Sequence, residues 1–408
     1  MIAVPRPPAP DPLAAFTEDE IRACVEFAKP RQRWGLVAFG TDLAVLAALA
    51  LTGAGRAVVA AAAGLAGGWA PGRVVLAVVA TQAVRAGVGL PFSLRAYRQD
   101  LRAGLATQRL GGFLRDWAKA RAVGLVLVVL PLGALVLGAR WEPPGWPLVA
   151  AAAAVVLVLA LAVAGPVLIE PLFNRFRPLE PGPLRARLLE LAAAMEVPVR
   201  DVLVSDASRR TTRVNAYVSG LGRTRRVVVY DTLLAGAAGT AEAAPTAGAV
   251  RSAGAADEVA LVAAHELAHV RHRDVLWGTL GSAALAAVSV LAVVALFDTE
   301  AVRRTFAVGG LGDPLAAPGL LLLAALGGLL AAPVASAISR WAEARADWVA
   351  LEVTRDPVTA VAVERRLALE NRADLRPNRL LLLLFASHPT TMARIAQARL
   401  WGERNSSP

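Results

Sequence analysis

The feature that most constrains this chain is a series of apolar runs, each about as long as a bilayer is thick. Residues 34–52, 74–94, 123–138, 147–169, 275–297 and 315–335 hold only two charged side chains between them, Asp42 and Arg85. A hydrocarbon core about 30 Å thick takes roughly 20 helical residues to cross. Lipid offers no hydrogen-bond partner to a peptide group, so runs of this kind must be helices. Asp42 and Arg85 are expected to face protein or water rather than lipid. The predicted fold is therefore a mainly α, polytopic membrane protein with six transmembrane helices. A further Ala/Gly run, residues 57–70, is weakly apolar and short, and it reads as an outer loop or a half-inserted segment. Were it to cross, there would be seven spans. The composition agrees with membrane residence: 56% of the 408 residues are hydrophobic and only 18% are charged.

Six spans put both termini, residues 95–121 and residues 170–274 on one side. Residues 95–121 carry seven Lys or Arg, so the positive-inside rule makes that side cytoplasmic and the expected location the cell membrane. A net charge of +11 raises the question of nucleic acid, but the arginines gather beside apolar runs rather than in stripes interleaved with aromatics. That suits an anionic leaflet, and no nucleic-acid partner is expected. The opening residues 1–20 are Pro-rich and then acidic. They read as a disordered lead with no signal-peptide pattern, although Thr17 followed by Glu20 is a capping signal. Cys24 is the sole cysteine, which excludes an internal disulfide framework and multi-thiolate metal sites.

Any metal set must therefore come from His and carboxylates, and residues 257–271, DEVALVAAHELAHVR, supply the start of one. His265 and His269 are i and i+4, on one helical face, and both imidazoles can reach one ion. Glu266 stands next to them and can polarise a water there. The flanks favour a helix, with no Gly or Pro from 257 to 274 and acids in the first turn. The motif alone arises by chance in many helices. However, the chain has only four histidines, His265, His269, His272 and His388, and three of them fall on this short stretch.

A hydrolytic zinc site takes three protein ligands and leaves one position open. A histidine six residues after His269 would complete one set, but that position is Val275. His272 lies two turns beyond His265 and reads as a helix-end residue. Glu343 and Asp347, again i and i+4, are the best carboxylates: one to bind a metal, the other to accept the free N–H of a ligand imidazole. The competing reading pairs Glu343 with Arg340 or Arg345 on a solvated helix. Around these motifs, residues 184–195 have helical periodicity. Residues 202–204, 213–220 and 226–230 read as strands, and 339–353 and 360–374 as helices. Residues 235–256 form a low-complexity Ala/Gly tract.

In these residues the chain resembles the integral-membrane zinc metalloproteases of the CAAX prenyl protease 1 family. His265-Glu266-Leu267-Ala268-His269 is similar to that family's H-E-x-G-H, and Glu343 with Asp347 to its downstream E-x-x-x-D. The resemblance continues in order through Pro171-Leu172-Phe173, Asn215-Ala216-Tyr217, Gly220, the VVVYDTLL run, and His388-Pro389 with Arg394. Ala268 and Val270 depart from the family's Gly and frequent Trp. The resemblance implies one Zn2+ held by His265, His269 and Glu343, with Glu266 as general base. It implies that His388 steadies the developing oxyanion and that Asp347 and Arg394 support the ligands. Asn215, Ala216, Tyr217 and Gly220 belong to an edge strand that would take up a substrate backbone. Asp42 is a candidate for the wall of the water-filled chamber that family members enclose.

The resulting organisation is a lead (1–33), transmembrane helices with the basic loop (34–169), and an α+β gluzincin-type protease domain at the cytoplasmic face (170–274). Two further spans (275–335) and the rest of that domain with the third ligand (336–408) follow. The function implied is a membrane-embedded zinc endopeptidase acting on peptide or protein substrates, some of them membrane-associated. Two alternatives are a transporter or scaffold with a structural zinc and an intramembrane protease of the site-2 type. Against the second, residues 275–297 and 315–335 hold no Asp. The Ala/Arg-rich composition suggests a high-GC bacterium, where prenylated peptides are not expected and membrane-protein quality control or peptide maturation is as plausible.

Overall fold

A computed structural model describes residues 15–220, 222–239 and 254–405. Among the described residues fifteen α-helices follow one another: α1 (Glu18–Leu51), α2 (Gly53–Gly64), α3 (Ala70–Arg102), α4 (Leu110–Trp141), α5 (Trp146–Ala164), α6 (Glu170–Phe173), α7 (Pro183–Ala194), α8 (Asp231–Gly239), α9 (Ala255–Arg271), α10 (Asp274–Asp298), α11 (Glu300–Phe306), α12 (Ala317–Thr354), α13 (Pro357–Glu370), α14 (Arg379–Phe385) and α15 (Thr391–Asn405). Six helical segments among the described residues are long and apolar enough to cross a bilayer, and each contains one of the six apolar runs. They are α1, α3, α4, α10, the stretch from α5 into α6 through a π-helical turn at Gly165–Ile169, and Pro314–Thr354, which contains α12.

The 57–70 run does not cross. It folds as α2, whose 12 residues reach only about 18 Å. Val59 and Ala63 of α2 are buried against Leu49, Ala77 and Val78. The run is thus a short helix packed on its neighbours rather than a loop.

Several spanning helices run past any hydrocarbon layer. At about 1.5 Å per residue, the 38-residue α12 is about 57 Å long. Here the structure corrects an expectation: residues 339–353 are not a separate helix but the continuation of the last span, unbroken through Pro333. The stretch bearing Glu343 is thus one rod with the membrane segment.

The start of the chain also differs from expectation. Residues 15–20 are ordered rather than a loose lead. Thr17 and Glu20 form a reciprocal capping box, Arg365 pairs with Glu20, and Phe16, Ile21 and Cys24 are buried against Ala368, Met392 and Ile395. Residues 1–14, and most of the 235–256 tract, lie outside the described residues.

Beside the helices lies a four-stranded sheet: β1 (Phe176–Pro178), β2 (Asp201–Ser205), β3 (Ala216–Ser219) and β4 (Arg226–Tyr230), in the order β1-β2-β4-β3. β2 and β4 are parallel and the two outer pairs antiparallel. The central strands are apolar on both faces, as strands covered on both sides must be, and Val202, Val227 and Val229 are fully buried. They pack with Leu188 and Met195 of the α7 region, Val259, Ala263 and Leu267 of α9, Ala346 and Val349 of α12, and Trp401 of α15. This core fixes α9 against α12. The α3–α4 connection docks on the same unit: Thr107 N–H donates to Arg210 O, and Ala106 bridges Thr211. The basic segment and the sheet therefore share one side of the bundle.

Candidate metal centre

α9 buries one face and offers the other. Val259, Ala263, Leu267 and Ala268 point into the core, while His265, Glu266 and His269 turn toward α12. Across from them, Glu343 and Asp347 occupy one face of α12, one turn apart. Glu343 meets both imidazoles: its Oε2 lies 3.2 Å from His265 Nε2 and its Oε1 3.4 Å from His269 Nε2. The two Nε2 atoms are 3.3 Å apart. Donor atoms of three groups converging this closely suit a small cation. Zinc–ligand bonds of 2.0–2.1 Å at tetrahedral angles put neighbouring donors about 3.3 Å apart. His265, His269 and Glu343 also form the one such three-ligand group among the described residues.

A second observation tests the fit. Glu343 Oε2 is buried and accepts no hydrogen bond, although imidazole nitrogens of His265 and His388 lie 3.2 and 2.8 Å away. A buried, unserved carboxylate oxygen is costly in a folded protein unless a cation takes it up. The donor set of two nitrogens and a carboxylate is that of a hydrolytic zinc site, so the residues fit the ion.

Each of the two imidazoles has a carboxylate on its far nitrogen. His265 Nδ1 lies 2.8 Å from Asp347 Oδ1, close but not aligned as a hydrogen bond. His269 Nδ1 lies 2.9 Å from Asp274 Oδ2. Asp347 in turn receives both ends of the Arg394 guanidinium, whose third nitrogen reaches Glu364 at 2.9 Å. Burial alone would lower the imidazole pKa values. The Asp347 and Glu343 carboxylates override it and push His265 up to about 10, and Asp274 with Glu343 push His269 to about 9. Burial pushes the Glu266 carboxyl up, against the pull of the two imidazoles.

The expected residues fall into two groups. Asn215, His265, Glu266, Glu343, Asp347, His388 and Arg394 line one cavity between α9, α12, α13 and α15. Arg340 and Arg345, the competing partners of Glu343, are engaged elsewhere: Arg340 donates to carbonyls after and within α14, and Arg345 pairs with Asp274. His272 caps the end of α9 and is outside the ligand group. Ala216, Tyr217 and Gly220 do not line the cavity. They belong to β3, the edge strand beside β4, and to the turn after it. Gly220 has φ +89°, and a Cβ there would meet Thr224 O at 2.6 Å, so the turn itself demands glycine. Two residues were missed at the sequence level. Asp274 read as a helix end, and Glu364 carried no signal because its partner, Arg394, lies 30 residues away on α15.

Comparison with known proteins covers the stretch in which these residues lie. The model of peptidase family M48 matches residues 178–401. The model described as CAAX prenyl protease N-terminal, five membrane helices, matches residues 4–175, where α1–α5 lie. A metalloprotease of Bacillus subtilis, YhfN, is 28% identical over 76% of this chain and 70% of its own length. A CAAX prenyl protease 1 homolog of Arabidopsis thaliana is 32% identical, but over only 44% of this chain and 39% of its own. The crystal structure of S. mikatae Ste24p superposes with a TM-score of 0.74 over 96% of this chain and 91% of that one; at 19% identity this speaks to the fold alone. Nothing in these matches favours a transporter, a scaffold or a site-2 protease. With the family model covering more than half of its length, the chain belongs to peptidase family M48, as a multi-pass membrane metalloprotease similar to the CAAX prenyl proteases.

Proposed function

We propose that the chain is a zinc-dependent endopeptidase holding one Zn2+ on His265, His269 and Glu343. The observation that carries this reading is the convergence of three groups: the two Nε2 atoms are 3.3 Å apart, and each lies within 3.4 Å of one oxygen of the Glu343 carboxylate. Zinc bound there supplies Lewis acidity to water and to the scissile carbonyl. Glu266 takes the proton from the attacking water. Its burial, which holds the carboxyl above the usual range, suits a group that must accept a proton and pass it on near neutrality. His388 reaches the centre from the loop after α14 and steadies negative charge on the carbonyl oxygen. Asp347 and Asp274 fix the ligand imidazoles, and Arg394 holds Asp347.

The substrate is a peptide laid against β3, which ends the sheet and pairs with no strand but β4 among the described residues, with Asn215, which lines the same cavity, as the side-chain anchor. The docked basic segment 95–121, combined with the positive-inside rule, supports a site on the cytoplasmic face of the cell membrane. The relatives' names point to prenylated C-terminal peptides; for this chain, peptides of membrane-associated proteins are the broader class. Cleavage of a quenched peptide library by the purified protein, abolished by chelator and restored by zinc, is the expected result. Cleavage indifferent to chelation would end the zinc reading.

A further inference from the structure

α14, with the sequence RLLLLLF, is too short to span and too apolar for water. Leu380, Leu383 and Phe385 on its outer face are 60%, 51% and 45% exposed. We propose that α14 is a re-entrant element seated in the acyl layer of the bilayer, and that this seating holds His388 over the metal centre. The second half of the proposal rests on the function assigned above.

Depth comes from two independent rulers. Exposed Trp34 on α1 and Trp341 on α12, each stacked against an arginine (Arg95 and Arg345), mark the protease-side interface. α1 enters the membrane with increasing number, and the Phe385 ring meets Phe39 edge-on, with centroids 6.4 Å apart. Phe39 lies five residues inside Trp34, about 7.5 Å deeper at 1.5 Å per residue. α12 leaves the membrane with increasing number, and Ser336 donates to Leu384 O at 3.1 Å. Ser336 lies five residues inside Trp341, again about 7.5 Å deeper. The end of α14 thus sits below the tryptophan level on both neighbours.

Its backbone is prepared for a site without water. The last carbonyls of a helix have no partner within it and would be costly in lipid. Here Arg340 donates to Leu382 O and Ala386 O, at 2.9 and 2.8 Å, and Ser336 serves Leu384 O. The first turn is capped by Asn378, which accepts from Leu380 and Leu381 N–H. The apolar face continues onto the lipid-facing surface of α1 (Leu36, Phe39) and α12 (Val334, Ile338), so the same bilayer covers all three. After Phe385 the chain turns back out, and three residues later His388 stands 2.8 Å from Glu343. α12 holds both limbs of this loop: Ser336 and Arg340 grip the descending helix, and Glu343 meets His388 on the return.

The test uses the protein in lipid vesicles. Cys24 is buried and is the only thiol, so spin labels go to introduced cysteines alone. Labels at Leu380→Cys and Leu383→Cys should collide with oxygen more than with a water-soluble nickel chelate, as at the control Leu330→Cys in the α12 span and unlike Arg187→Cys on α7. Nickel-dominated collision at both positions would overturn the seating, whatever the enzyme does. For the positioning half, Leu383→Asn should lower kcat at least tenfold on a soluble peptide with KM and metal content kept, and Leu383→Ile should restore it. Unchanged kcat in Leu383→Asn would overturn that half.

Discussion

Nδ1 of His269 lies 2.9 Å from Oδ2 of Asp274, five residues further along and around the corner between α9 and α10. The corner is made by Arg273 in the left-handed region, φ +58°. Arg345 of α12 holds the other oxygen of Asp274. One carboxylate thus ties the end of the ligand helix to the start of a span and to the helix of the third ligand. Asp274→Ala frees the imidazole and strands Arg345. Zinc affinity should fall by about 10- to 100-fold, as for other carboxylates behind ligand histidines. Competition against a fluorescent chelator measures this; unchanged affinity would show that the corner only shapes the fold.

The chain Glu364–Arg394–Asp347–His265 is largely shielded from water: Glu364 is buried and the other three side chains are only 12–18% exposed. Removing one member of a buried ion network leaves the others charged without partners, at about 3–5 kcal/mol. Arg394→Ala should therefore lower the melting temperature clearly as well as the zinc affinity. Arg394→Lys keeps the charge but cannot bridge two carboxylates, and it should recover stability only partly.

Metal-free protein should respond to pH in a definite direction. With His265 held at about 10 and His269 at about 9, both above the ordinary 6.5, folding binds protons there. That stabilisation is complete below about pH 6.5 and is lost as pH rises through 9 to 10. Melting of the zinc-free form should drop between pH 8 and pH 10.5, while the zinc-loaded form, whose imidazoles are already neutral, changes less. Zinc binding at pH 7 should release protons, measurable as buffer-dependent heat.

Asn215 immediately precedes β3: its backbone O accepts from Tyr230 N–H, and the residue lines the cavity beside Glu343. Asn215→Ala removes one substrate hydrogen bond, worth about 1 kcal/mol. KM should rise about fivefold with metal content unchanged. Steady-state kinetics on one peptide decides it.

Much of this was legible because it is local. His265 and His269, and Glu343 and Asp347, are each one turn apart, so helical periodicity alone puts each pair on a face. The six spans followed from run length. What the sequence hid depends on packing between distant elements. Asp274 reaches His269 only because Arg273 adopts φ +58°, which nothing in its neighbourhood announces. Glu364 meets Arg394 because α13 packs on α15. Residues 15–20 looked loose because their partners, Ala368, Met392 and Arg365, are more than 340 positions away. The continuity of α12 was hidden because the apolar run stops at residue 335 and polar residues follow, and Pro333 inside the helix costs one hydrogen bond without ending the rod.

The central claim is that Glu266 moves the proton at a centre it does not build. Zinc content and kcat measured side by side on Glu266→Gln test it most directly. One zinc per chain with kcat at least 100-fold below the parent is the predicted result. Cleavage at the parent rate by a zinc-loaded Glu266→Gln protein would contradict it.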